Sequence, residues 1–258
     1  MLMINNLSYT LHNKLIFNNI SAAINDGEIA GITGAAGSGK NFLIDLLRNK
    51  KSNYDGTIFI DKNNTRTVPG KIMKKLISHY SSIQNNVNPE AIVKEWILGG
   101  RINHKKRLNP YTDIDKEIAY RAMTLFGLDQ FAETRLKFIS DTSKKMASLA
   151  RAFSAQSDIL LLEKPEAGLN INQRILLARA LKKYTSTGNK IIILTSSDLN
   201  FIAASCDRIF VLADNCIAES GTHRIITEKF IKKYFGIEAV VTKNIYSGLP
   251  EVQIIDES

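Results

Sequence analysis

The chain has 258 residues, 44% of them hydrophobic, enough to bury one large core or a core with an attached subdomain. Its formal net charge is +9, but Lys and Arg are scattered in ones and twos, so no nucleic-acid partner is expected. No apolar run approaches the ~20 residues of a membrane span, and Met1-Leu2-Met3-Ile4 lacks the basic and apolar regions of a signal peptide.

In chain order, Ile4 to Ile24 alternates as β-structure and predicts a small flanking antiparallel sheet. Glu28–Thr33 reads as a short buried strand running into Gly34, Ala35, Ala36, Gly37, Ser38, Gly39, Lys40 and Asn41. Phe42–Leu47 leaves as an amphipathic helix. Strand, glycine-rich loop and helix form the setting of a phosphate-binding loop, G-x-x-x-x-G-K-[ST]. In that motif backbone N–H groups cradle phosphate, the Lys reaches the β- and γ-phosphates, and a Ser or Thr hydroxyl sits on Mg²⁺. Here Asn41 stands where the hydroxyl belongs.

Gly56–Asp61 reads as a further strand, and from about Ile92 to Phe153 the pattern turns helical. The helices are expected over Ala91–Gly99, Asp115–Gly127 and Ser143–Phe153. The basic cluster His104-Lys105-Lys106-Arg107 reads chiefly as a solvated loop, with contact to phospholipid headgroups or a basic-patch partner as the alternative. Strands return at Asp158–Glu163, Lys190–Thr195 and Arg208–Leu212, and a tail from Thr227 carries a helix at Glu228–Phe235 and weak strands. The alternation predicts an α/β fold: core sheet over about 1–84 and 156–226, helical subdomain over about 85–155, tail over about 227–258, all within one domain. Cys206 and Cys216 are too few and too far apart for a metal site and read as buried thiols of a reducing compartment.

This order of elements resembles the nucleotide-binding subunit of ATP-binding-cassette (ABC) transporters, and the resemblance covers nearly the whole chain. It implies a P-loop NTPase fold with an inserted helical subdomain, and ATP as ligand. Tyr9 stands where the family stacks an aromatic on adenine, and Gln84 where it places a Gln that senses metal and contacts the membrane subunit. Leu149-Ala150-Arg151-Ala152 matches the helix that follows the L-S-G-G-Q signature. Gly99-Gly100-Arg101 leading to Tyr111-Thr112-Asp113, with Tyr234-Phe235-Gly236-Ile237-Glu238 and Ser247-Gly248-Leu249-Pro250, resembles the branch importing iron–siderophores, haem and cobalamin.

The departures from the family pattern sit at its chemistry. The Walker B strand, apolar residues followed by D-E-P, reads Ile159-Leu160-Leu161-Leu162-Glu163-Lys164-Pro165. Glu163 places a carboxylate about 1.5 Å too far along for the metal. Lys164 replaces the base, and an ammonium neither accepts a proton from water nor offers it a lone pair. Ser197 replaces the switch histidine, and Asn170 the Asp of the next turn. The signature positions read Ile139-Ser140-Asp141-Thr142-Ser143, where Ser140 keeps one phosphate contact and both glycines are lost. Taken singly, Asn41 can be read as a helix-start residue, since Asn caps well, Glu163 as a metal ligand after a small loop shift, and Asn170 and Ser143 as surface polar residues.

The expectation is ATP bound with little dependence on Mg²⁺, by Tyr9, residues 34–42, Gln84 and Ser140, with no metal site and little or no hydrolysis. The resemblance further implies permease membrane subunits and a second nucleotide-binding subunit, itself or a paralogue, as partners on the cytoplasmic face of the membrane. An active transport ATPase with compensated motifs, or a soluble nucleotide-binding regulator, stay open as alternatives.

Overall fold

The computed structural model describes residues 1–51, 53–83, 87–105, 109–186 and 188–255. Strands β1 (Leu2–Leu11), β2 (Lys14–Ile24) and β3 (Ile29–Thr33) lead into helix α1 (Lys40–Leu47), then β4 (Asp55–Ile60) and the short β5 (Asn63–Asn64). Helix α2 (Gly70–Leu76), strand β6 (Ile77–Ser81) and helices α3 (Val93–Leu98), α4 (Asp113–Leu125) and α5 (Asp141–Ser154) follow. Next come β7 (Ile159–Glu163), α6 (Ile171–Thr185), β8 (Ile191–Thr195), α7 (Leu199–Ser205), β9 (Arg208–Ala213), β10 (Cys216–Gly221), α8 (Glu228–Phe235), β11 (Ala239–Lys243) and β12 (Pro250–Ile254).

The chain forms two compact units, residues 1–68 with 191–258 and residues 69–190. By contact β6, β7 and α6 group with the helices α3 to α5.

In the first unit β2, β1, β4 and β5 make an antiparallel sheet in that order. Its inward positions Leu2, Ile4, Leu7, Phe17, Ile20 and Ile58 are buried, the alternation a one-sided sheet requires. Beside it β3 pairs in parallel with β8 and with β9, and β9 pairs antiparallel with β10. All five residues of β3 and all five of β8 are buried, as expected for parallel strands covered on both faces. Cys206 is buried and Cys216 only half so, which corrects its reading as a buried thiol; both are free.

The tail folds into α8 and the antiparallel β11–β12 ribbon. The side chain of Asn200 answers the outer edge of β12, its Nδ2 donating to Val252 O at 3.1 Å and its Oδ1 accepting from Val252 N at 2.7 Å. Glu228 Oε1 accepts from Val241 N of β11 at 3.3 Å.

In the second unit β6 and β7 pair in parallel, and α3, α4 and α5 pack on one another. One guanidinium ties this unit together. Arg101 Nε donates to Asp115 Oδ1 at 2.9 Å, and its Nη1 to the carbonyls of Ser154 and Ala155, both at 3.1 Å. Asp115 also closes the capping box of α4 with Thr112, so the start of α4 is fastened to the end of α5. A Cβ on Gly100 would lie 2.2 Å from Arg151 O, which explains the second glycine of Gly99-Gly100-Arg101. Among the described residues no helix is long and apolar enough to cross a membrane.

Candidate nucleotide site

Strand β3 delivers the glycine-rich loop at its carboxyl end, and Ser197 follows Thr195 of the neighbouring parallel β8 at the same end. The carboxyl ends of parallel strands are where open α/β sheets bind ligands. Gly34 has φ 141, and a Cβ there would lie 2.3 Å from Leu212 O and 2.9 Å from Ser38 Oγ. Gly39 has φ 95, with a Cβ falling 2.9 Å from the Phe17 ring. Only glycine fits either place. Ala35, Ala36 and Gly37 form the exposed crest between them.

Lys40 opens α1 and is 7% exposed. Its ammonium folds back on the loop, donating to Gly34 O at 2.6 Å, Ala35 O at 2.8 Å and Ser38 Oγ at 3.0 Å. The loop thus fits an anion: glycine backbone at its crest, a cation at its base, a helix start behind it. Gly39 caps α1 without a side-chain hydrogen bond, and Asn41 is the exposed second helical residue. Asn41 is therefore not the helix cap its residue type suggested.

Tyr9 is 5% exposed, its ring 6.2 Å from that of Phe42 and tilted by 47°. Lys51 Nζ lies 5.6 Å from the Tyr9 centroid and 5.2 Å from that of Phe42. The structure places Tyr9 against Phe42 and leaves Tyr9 little open face, and Lys51 stands over both rings. That lysine was missed because nothing in its local sequence marks it.

In the second unit Glu163 ends β7 and Lys164 follows it, exposed and at φ 46. Left-handed backbone is uncommon for a lysine. It bends the chain so that Ala167 N donates to Lys164 O at 3.1 Å, with Pro165 and Glu166 turned inward. Burial, and then the charge of Glu166, push the Tyr80 phenol well above its usual range.

Glu163 itself is held. His79 Nε2 is 2.5 Å from Glu163 Oε1, and Ser81 Oγ donates to Oε2 at 3.5 Å. Among the described residues no group of three or more His, Cys, Asp or Glu is placed to hold a metal ion. The Glu163 carboxylate is thus engaged by the His79 imidazole.

Ser140 is the N-cap of α5, its Oγ accepting from Ser143 N at 3.1 Å. Asp141 projects at 91% side-chain exposure beside Lys144 Nζ at 2.8 Å, and that hydrogen bond holds its carboxyl below the usual range. Behind it Lys145 Nζ donates to Ala167 O at 2.9 Å, fastening α5 to the turn after β7. Gln84 lies outside the described residues, as do Lys106 and Arg107.

A family model described as ABC transporter matches residues 17–167. The chain is 25% identical over 243 residues to the cobalamin import ATP-binding protein BtuD of Halobacterium salinarum. That match covers 94% of this chain and 60% of the relative, so the chain spans well under two thirds of that protein. It is 23% identical over 246 residues to the petrobactin import ATP-binding protein FpuD of Bacillus anthracis, covering 95% of this chain and 89% of that one. Among solved structures, a metal-chelate type ABC transporter in an inward-facing conformation superposes with a TM-score of 0.81 at 18% identity. That superposition covers 98% of this chain and 96% of the other.

Proposed function

The chain belongs to the ABC transporter family, and on that premise we propose that it is the ATP-binding subunit of an importer that holds nucleotide while hydrolysing little or none. The proposed cargo is an iron–siderophore, haem or related chelate. Support comes from relatives named for petrobactin and cobalamin import and from similarity to a metal-chelate type transporter. The proposed partners are permease subunits and a second nucleotide-binding subunit, at the cytoplasmic face of the membrane, with no nucleic acid.

Lys164 carries this reading. The residue after Glu163 in this family positions the attacking water, and that task needs a lone pair. An exposed ammonium on a left-handed backbone has none to give. Lys40, buried at the base of the loop, would offset phosphate charge, and the proposed nucleotide binding is nearly independent of Mg²⁺.

The test pairs equilibrium ATP binding with phosphate release on one preparation, alone and with its permease. Binding that survives in chelator, with turnover at least about a hundredfold below a hydrolysing relative, is the expected result. Vigorous permease-stimulated phosphate release refutes it. Lys40→Ala should weaken binding about tenfold or more, since it removes the loop's buried cation.

A further inference from the structure

Within residues 69–190 one cation has a berth built for it and no acceptor facing it. Helices α3 and α5 pack on one another, and their contact lays the Arg151 guanidinium over the Trp96 ring, 4.1 Å from its centroid. Gly99 makes room for it. Its backbone is ordinary helix, φ −57 and ψ −17, which any residue adopts. A Cβ there, however, would lie 3.1 Å from Arg151 Cζ and Nη1 and 3.2 Å from Nη2. The missing side chain serves the cation and not the chain. Among the described residues the guanidinium meets neither a carboxylate nor a hydrogen-bond acceptor. Asp115, the acid of the neighbouring clasp, is committed to Arg101 and Thr112. The buried Trp96 Nε1 also lacks a partner among the described residues. Burial pushes the Arg151 guanidinium below its usual range, with the Tyr111 phenol acting the other way. A half-buried cation of this kind has given up water without gaining an anion.

We propose that Arg151, stacked on Trp96, is the receptor for a carboxylate carried by an acidic, partly apolar segment of a partner protein. A guanidinium fork matches a carboxylate with two parallel hydrogen bonds, and Trp, Tyr and Arg are the residues that carry most energy at interfaces. Trp96 and Tyr111 are half-buried, and Ile102, three residues past Gly99, is 50% exposed. A free inorganic anion would meet the charge and leave these apolar faces in water. A segment with aliphatic side chains beside its acid covers both. The assignment involves neither nucleotide nor Mg²⁺, so it stands or falls apart from the function proposed above.

Trp96 is the only tryptophan of the chain, so its fluorescence reads this place directly. The full chain is titrated with a synthetic amphipathic peptide of glutamates and leucines, with its glutamine counterpart, and with acetate and inorganic phosphate at matched ionic strength. The glutamate peptide should change Trp96 emission saturably, and the glutamine peptide should bind about tenfold or more weakly. Arg151→Gln should weaken the glutamate peptide about tenfold or more, and Arg151→Lys nearly as much, since an ammonium lacks the planar fork. Arg121→Gln, at an exposed cation of α4, should bind as wild type does, which separates the site from the general attraction of a chain of net charge +9. Equal binding by wild type and Arg151→Gln, or no saturable change at all, overturns the assignment. So does acetate or phosphate binding as tightly as the peptide, the mark of a site for a free anion. If Arg151→Gln does not fold, Gly99→Ala decides. Its helical backbone tolerates alanine and its methyl crowds the guanidinium, so it should weaken the peptide severalfold; an unchanged affinity overturns the assignment.

Discussion

At the residue scale, lost groups have been replaced by groups with other attachments. Asn41 is an exposed helical residue, Glu163 is tied to His79, and Lys164 sits at φ 46. Lys164→Glu alone should therefore leave phosphate release at background. The combination of Asn41→Ser, Glu163→Asp, Lys164→Glu and Ser197→His should raise it measurably, because only then do ligand, base and switch positions agree. Gly34→Ala tests the loop itself. With φ 141 and a Cβ 2.3 Å from Leu212 O, it should cost roughly 2–4 kcal/mol in urea denaturation. The loop and the substitutions around it were legible in the sequence, since each is a local pattern. The His79–Glu163 contact was not: 84 residues separate the two, and only strand pairing brings them together. Nor was the burial of Tyr9, which depends on Phe42 and Lys51 closing over it.

At the element scale, periodicity located β3, α1, α4, α5, β7, β8 and β9 to within a few residues, because each buries one face or both. It passed over α6 entirely, although the helix announces itself. Asn170 and Gln173 form a capping box, with Asn170 Oδ1 accepting from Gln173 N at 3.0 Å. Against the family pattern alone, Asn170 stands only as a departure from Asp or a surface polar residue. Asn170→Ala should cost about 1 kcal/mol, with Asn170→Asp nearly neutral, in thermal unfolding. The Gly99-Gly100-Arg101 stretch, read as a mark of one transporter branch, is a structural clasp. Burial raises the Asp115 carboxyl, but hydrogen bonds from Arg101 and Thr112 outweigh it and leave it below its usual value. A lowered carboxyl contributes stability that is full above its unfolded value and is lost as pH falls through the folded one. The helices of residues 69–190 should loosen by circular dichroism below about pH 4. Asp115→Asn should flatten that acid dependence and cost roughly 3–5 kcal/mol at neutral pH by stranding a buried guanidinium.

At the scale of the whole molecule, contacts group β6 and β7 with α3 to α6. Local pattern does not report which neighbours an element will contact most. Pairing with a second subunit should then transmit the defects of α5. If its start faces a partner's nucleotide, the Asp141 carboxylate repels phosphate where the family offers glycine amides. A mixed pair with a hydrolysing paralogue should be slow at both sites. Asp141→Gly with Thr142→Gly should restore the partner's phosphate release by roughly a hundredfold, the worth of a recovered oxyanion donor. The tail carries a consequence of another kind. Two-stranded ribbons with bare rims invite further strands and can seed fibrils. The Asn200 amide against β12 and the Glu228 carboxylate against β11 leave such recruitment no template along those stretches. Apolar side chains such as Ile254 can thus stay in water without drawing copies of the protein into stacked aggregates.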